Sequence, residues 1–184
     1  LLVTSSIPLE GKSFISKNLA ASIANMGKNT LIIDCDMRKP VLHKTFRVDA
    51  SPGLSDVLVG EAAIDDAIKE TFIPHLSLLL SGTIPPNPLD LIGSDKMLEV
   101  VEELKNRYAW IIFDTPPLIS VADAAMLAGV GARMLLVIKS GQTRRDAVKQ
   151  ALKQVESSNV RVIGGVLNFV DYKKERYYYS YYHK

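Results

Sequence analysis

The sequence predicts an α/β domain: a mostly parallel central sheet with helices on both faces. Three observations carry that reading. Short runs that are apolar at every position alternate with segments of helical spacing. Runs of that kind suit strands covered from both sides, as parallel strands are. Apolar residues make up 47% of the 184 and charged residues 23%, the balance of a chain that buries one core.

The elements follow in chain order. Residues 1–4, Leu-Leu-Val-Thr, read as a buried strand. A loop over 5–11 leads into a helix over 13–26, which Gly27 ends. Residues 30–33 form the next strand and close on Asp34. A polar stretch punctuated by proline follows, with short helices over 54–59 and 64–69. Residues 76–80 are a strand that feeds a loop over 81–88, where Pro85, Pro86 and Pro88 fall within four positions. A helix over 95–106 precedes a strand over 110–113, which ends on Asp114. A strand over 134–138 comes next. The segment 143–157 places Ala147, Val148, Ala151, Leu152 and Val155 at helical spacing. Residues 160–167 are the last strand, and no internal repeat is present.

Composition removes several classes of function. There are 22 basic and 20 acidic residues, a formal charge of +2, too weak to point to nucleic acid. A single cysteine, Cys35, excludes an intrachain disulfide framework and fits a reducing compartment. Cys35 stands between two aspartates, whose charge disfavours a thiolate, so it is not read as a nucleophile. His43, His75 and His183 lack metal-ligand spacing. No apolar run approaches the roughly 18 residues of a membrane helix. No signal peptide is visible, and the abrupt opening in a strand suggests a piece of a longer protein.

Ser6-Ile-Pro-Leu-Glu-Gly-Lys-Ser13 follows the layout G-x-x-x-x-G-K-[ST], with serine in the first position. A strand precedes it and a helix follows. In that setting backbone N–H groups of Pro8's successors, Leu9, Glu10, Gly11, Lys12, Ser13 and Phe14, curl around phosphates, and the helix dipole adds positive potential. Lys12 reaches the outer phosphates and the Ser13 hydroxyl ligates magnesium. Glycine at position 9 would allow φ > 0 and close backbone approach. Leu9 allows neither readily, so either weaker nucleotide affinity or an altered loop path is expected.

Asp34, Asp36 and Asp114 lie at or just beyond strand ends. Ligands of parallel sheets sit at the carboxyl ends of strands, so all three should converge on the phosphate loop. Asp114 suits a magnesium role, with water completing the shell. Asp34 and Asp36 suit proton acceptance and support of the metal. Residues 139–142 and Asn168, at strand ends, are candidates for the base pocket.

These motifs, with Asp34-Cys-Asp-Met-Arg-Lys-Pro40 and Ile111-Ile-Phe-Asp-Thr-Pro-Pro117, resemble the bacterial tyrosine kinases of polysaccharide co-polymerase systems. That family carries a Walker A loop, a second motif of the D-x-D-x-R-x-P type, a Walker B ending in D-x-P-P, and a C-terminal tyrosine cluster. Asn87 with its flanking prolines resembles a further signature. The resemblance implies a P-loop NTPase-like fold over residues 1–170 and a tyrosine-rich tail over 171–184. It implies ATP and Mg2+, with Lys12, Asp34 and Asp36 catalytic and Ser13, Asp36 and Asp114 at the metal. The acceptors would be Tyr177, Tyr178, Tyr179, Tyr181 and Tyr182, in the tail of a neighbouring subunit of a ring-like homo-oligomer. A transmembrane activator, fused or separate, would hold the kinase at the inner, cytoplasmic face of the plasma membrane. The system would control capsule or exopolysaccharide export. The family usually has glycine where Leu9 stands, and a segment before the first strand.

Tyrosine is also dense in edge strands and interfaces, because its ring buries well and its hydroxyl stays wet. Residues 171–184 reach at most about 46 Å when extended, enough to approach this subunit's site or a neighbour's. Two rival functions remain at the level of sequence. One is an ATPase switch of the partitioning and septum-positioning type, although Ile7 stands where those proteins carry a signature lysine. The other is a non-catalytic nucleotide-binding scaffold.

Overall fold

The computed structural model describes residues 1–118, 131–156 and 160–171. Among these residues run seven strands. They are β1 (Leu2–Ser5), β2 (Thr30–Asp34), β3 (Ile68–Glu70), β4 (Leu76–Leu79), β5 (Trp110–Asp114), β6 (Arg133–Lys139) and β7 (Arg161–Asn168). They form one sheet in the order β3-β4-β2-β5-β1-β6-β7. Every pairing is parallel except β3 with β4. The described helices are α1 (Lys12–Asn25), α2 (Leu42–Phe46), α3 (Leu54–Leu58), α4 (Ile64–Ala67), α5 (Pro88–Ile92), α6 (Asp95–Lys105) and α7 (Arg145–Glu156).

Period-two alternation divides the strand residues between two cores. Leu2, Leu31, Ile33 and Phe113 pack on one side with Met97, Val100, Val101 and Leu104 of α6 and Val155 of α7. Val3, Ile32, Leu78 and Ile112 pack on the other with Ala20, Ile23 and Ala24 of α1 and Leu42 of α2. The four α6 residues recur at helical spacing and give that helix a single apolar stripe. Its start is capped by Ser94, whose Oγ accepts from the Met97 N–H at 3.2 Å. Helices therefore cover both faces, as parallel strands require.

Three short elements differ from the sequence reading. The helix expected over 64–69 stops at Ala67, because Ile68, Lys69 and Glu70 pair antiparallel with Leu79, Leu78 and Ser77. That ladder lies at the edge of the sheet, between consecutive strands joined by a five-residue loop. The loop expected over 81–88 ends in α5, where Pro88 occupies the first turn and needs no N–H partner. The short helix α2 interrupts the polar stretch after Pro40.

The end of β4 is tied to α3 by backbone contacts. Leu54 N–H donates to the Leu80 carbonyl at 2.7 Å and Ser55 N–H to the Ser81 carbonyl at 3.0 Å. The Asp56 carboxylate accepts from Gly53 N–H at 2.7 Å and from Ser51 Oγ at 3.1 Å. Gly53 is required by space. A Cβ there would lie 2.4 Å from Gly82 N and 2.5 Å from the Leu80 carbonyl oxygen, both backbone atoms. Gly53→Ala is expected to cost at least about 2 kcal/mol. Gly60→Ala, at φ 81 with open space around it, should cost about 1 kcal/mol from backbone strain alone. Urea midpoints of the two variants measure the difference.

Candidate functional site

Three strand ends meet at one edge of the sheet. β5 lies between β1 and β2, and Asp34 of β2 is in register with Asp114 of β5. The loop after β1 therefore opens beside both carboxylates. Thr4 Oγ1 donates to the Pro116 carbonyl at 2.8 Å, and Leu118 N–H donates to the Ser5 carbonyl at 2.8 Å. These bonds fasten the exit of β1 to the exit of β5.

The loop itself is shaped by two left-handed residues. Leu9 has φ 67 and Gly11 has φ 86. Leucine thus adopts the conformation that glycine would supply more readily, at a cost of about 1–2 kcal/mol. Its side chain is 88% exposed and fills no part of the interior. Gly11 is demanded by packing as well as by φ. A Cβ on it would lie 2.2 Å from Asn168 Nδ2.

Glu10 is 1% exposed. Its carboxylate accepts from Ile7 N–H at 2.8 Å, from Lys139 N–H at 3.1 Å and from the Thr143 hydroxyl. Asn168 Nδ2 donates to the Glu10 carbonyl at 3.0 Å. The phosphate loop is thereby pinned to the ends of β6 and β7. Lys139 also lies over the Phe169 ring, 4.7 Å from its centroid.

Lys12 is the cation that meets the carboxylates directly, and Arg38 and Lys39 line the same cleft. The Lys12 Nζ lies 2.9 Å from Asp36 Oδ2 and 3.8 Å from Asp114 Oδ2, and it donates to Ser13 Oγ at 3.2 Å. Ser16 Oγ stands 2.9 Å from Asp114 Oδ1. Asp36 N–H donates to Asp34 Oδ1 at 3.1 Å, and Lys39 N–H to Asp36 Oδ1 at 3.1 Å. The second oxygens of Asp34 and Asp114 are buried without a hydrogen-bond partner.

Burial and the neighbouring Asp114 charge push the Asp34 carboxyl up to about 8. Burial also raises Asp114, against the pull of Lys12. For Lys12, burial works against the ammonium, but the Asp114 and Asp36 carboxylates outweigh it and raise its pKa. Three carboxyls thus crowd around the Lys12 ammonium, and Asp34 answers the crowding by keeping its proton. The hard oxygens of Ser13, Asp36 and Asp114, of which Asp114 keeps one oxygen without a hydrogen-bond partner, are donors that magnesium accepts. Among the described residues no three carboxylate, imidazole or thiol groups form a complete metal cage.

Above this polar floor the cleft, about 440 Å³, has an apolar rim of Leu9, Phe14, Val41 and Pro117. A second cleft of about 390 Å³, at Asn29, His75 and Tyr108, lies where β2, β4 and β5 begin, at the opposite edge.

The structure brings together Lys12, Ser13, Asp34, Asp36 and Asp114, and sets Pro8, Gly11 and Phe14 on the same cleft. Asn168 touches the loop through Glu10 and Gly11. The Glu10 side chain faces away, into the clamp just described. Tyr177, Tyr178, Tyr179, Tyr181 and Tyr182 lie outside the described residues. Sequence reasoning missed Ser16, although it falls one helical turn after Lys12. It also missed the clamp partners Lys139 and Thr143 as ligands of Glu10.

Known proteins are similar to this chain in sequence and fold. A family profile described as an AAA domain matches residues 10–168. CapB of Staphylococcus aureus is 40% identical over 182 residues, 99% of this chain and 80% of that protein. The tyrosine-protein kinase YwqD of Bacillus subtilis is 38% identical over 168 residues, 91% of this chain and 71% of YwqD. The solved structure of the chimerical protein CapA2B2 superimposes with a TM-score of 0.89 at 37% identity, over 92% of this chain and 75% of that one. Against two Ralstonia relatives the chain spans 24% of their length.

Two outcomes are expected of the site's buried carboxyls. Asp34 holds its proton from the ordinary value of 3.8 up to about 8 in the folded chain. The native state then binds more protons than the unfolded one in that window, so stability falls as pH rises through it. Asp34→Asn removes this slope, and its urea midpoint should gain on the parent chain's between pH 4.5 and 8. Equal slopes would sink the assignment. Glu10→Ala strands the Ile7 N–H and leaves Lys139 N–H with Thr143 Oγ1 alone, and a loss of about 1–3 kcal/mol is expected in the same assay.

Proposed function

The chain belongs to the bacterial tyrosine-protein kinases, and from that premise we propose that it transfers the γ-phosphoryl group of ATP to tyrosines of the 177–182 cluster. The observation that carries the reading is the meeting of Lys12 with the carboxylates of Asp36 and Asp114 beside the phosphate loop. Phosphoryl transfer needs positioning and charge stabilisation more than covalent help. Lys12 neutralises the outer phosphates. Backbone N–H groups of the loop hold them in place. Ser13, Asp36 and Asp114 would hold Mg2+, which when bound offsets the charge of the triphosphate.

Asp34 accepts the proton of the attacking tyrosine. A phenol with a pKa near 10 is a poor nucleophile at neutral pH without such help. With Mg2+ bound, the added positive charge would favour the ionised carboxylate that this step needs, and the Asp34 oxygen without a partner is available for the proton. The phenol oxygen bonds to the γ-phosphorus, the bond to the β-phosphate oxygen breaks, and ADP leaves.

We further propose that transfer runs between subunits of a ring-like homo-oligomer, with a transmembrane activator, fused or separate, at the inner face of the membrane. The family and the CapA2B2 neighbour support that reading. Among the described residues no helix is long and apolar enough to cross a membrane. The system served would be capsule or exopolysaccharide export.

An ATPase switch would use water as nucleophile and leave the tail unmodified. The test is incubation with magnesium and ATP, followed by mass spectrometry of the chain. Phosphate on tyrosines 177–182, reduced at least about 100-fold in Lys12→Met, is expected. Released phosphate with bare tyrosines would replace the kinase reading with the switch. Neither product would leave the scaffold.

A further inference from the structure

Where α1 meets the sheet it carries small residues. Ser16, Ala20 and Ala24 recur at every fourth position and all three are buried. Alanine would serve the packing at each of them. Ser16 adds a hydroxyl at a point that is 0% exposed. Its oxygen lies 2.9 Å from Asp114 Oδ1 and 3.0 Å from the Lys12 carbonyl. A hydroxyl has one proton to donate. The Lys12 carbonyl belongs to the helix ladder, which offers it a backbone donor. A carboxylate oxygen is the stronger acceptor of the two.

We propose that Ser16 is a positioning residue for the metal site, holding the Asp114 carboxyl by Oδ1 so that Oδ2 is presented to the pocket. Oδ2 has no hydrogen-bond partner and lies 3.8 Å from Lys12 Nζ. The same Nζ touches Ser13 Oγ and Asp36 Oδ2, the other oxygens that would hold Mg2+. The proposal rests on the kinase reading above for the identity of the metal, and adds a residue outside the phosphate-loop motif, which ends at Ser13.

Magnesium demands near-ideal octahedral geometry. A carboxyl already turned to the required angle binds it more tightly than one that must first be ordered. Helical register supplies the hold. Position 16 falls one turn beyond Lys12, on the same face of α1, and Asp114 is the last residue of β5. Ser22 of the same helix offers a comparison. Its Oγ donates to the Asn18 carbonyl at 2.8 Å on the exposed side of α1, a backbone bond of the kind open to Ser16.

The test reads Mg2+ affinity without turnover. A fluorescent ADP analogue is titrated onto the full chain at a series of Mg2+ concentrations and in EDTA, and the Mg2+ dissociation constant is taken from the dependence. Ser16→Ala is expected to weaken Mg2+ about tenfold while leaving the affinity of the analogue in EDTA unchanged. Ser16→Thr keeps the hydroxyl and should restore the parent value. Ser22→Ala removes a backbone bond of the same kind and should change neither quantity. The two alanine variants decide the matter even where the threonine methyl finds no room.

Equal Mg2+ affinity in the parent chain and Ser16→Ala overturns the role. A loss of equal size in EDTA also overturns it, because the hydroxyl would then be acting on the loop through Lys12. An analogue that binds the parent chain with no Mg2+ dependence overturns both the role and the metal set of Ser13, Asp36 and Asp114. The expected pattern in a chain that never phosphorylates its tyrosines supports the role while removing the kinase reading.

Discussion

Two carboxylates buried side by side need a cation, and most of this site follows from that need. Register places Asp34 and Asp114 opposite each other on adjacent strands, both fully buried. Neither can ionise without raising the cost for the other. Lys12 answers part of the demand, and under the kinase reading a bound magnesium would answer the rest. The lysine is held where it is because Gly11 turns the chain into α1 immediately before it. The fold therefore presents a phosphate-loop motif and a carboxyl-rich pocket side by side. A magnesium–nucleotide complex carries both complementary features.

The strands that build the site were legible because each is a short apolar run with an abrupt polar end. β2 and β5 were read to within one residue, each stopping against its aspartate. The elements that escaped are those whose reasons are distant or brief. β3 exists because Ile68, Lys69 and Glu70 meet β4, and nothing in those three residues announces it. α2 and α5 each span five residues, too few for a period to show. Lys12, Ser13, Asp34, Asp36 and Asp114 could be named from motif and position alone. The part played by the Glu10 side chain could not, since its partners Lys139 and Thr143 stand 129 and 133 residues away.

Glu10 also explains why the loop keeps its shape around a leucine. Its carboxylate draws the Ile7 N–H inward while Asn168 draws its carbonyl outward. The peptide units on either side of residue 9 are thus held at both ends. Under that restraint Leu9 takes the left-handed conformation, and its side chain stands exposed to solvent.

That restraint narrows the substitutions open to position 9 over evolutionary time. Asparagine and aspartate tolerate φ near +60° better than most residues, and glycine tolerates it best. Valine, isoleucine and threonine, branched at Cβ, are disfavoured there however well they would suit the surface chemistry. A lineage leaving glycine at this turn thus meets a short corridor of admissible side chains, of which an unbranched leucine is among the few apolar members.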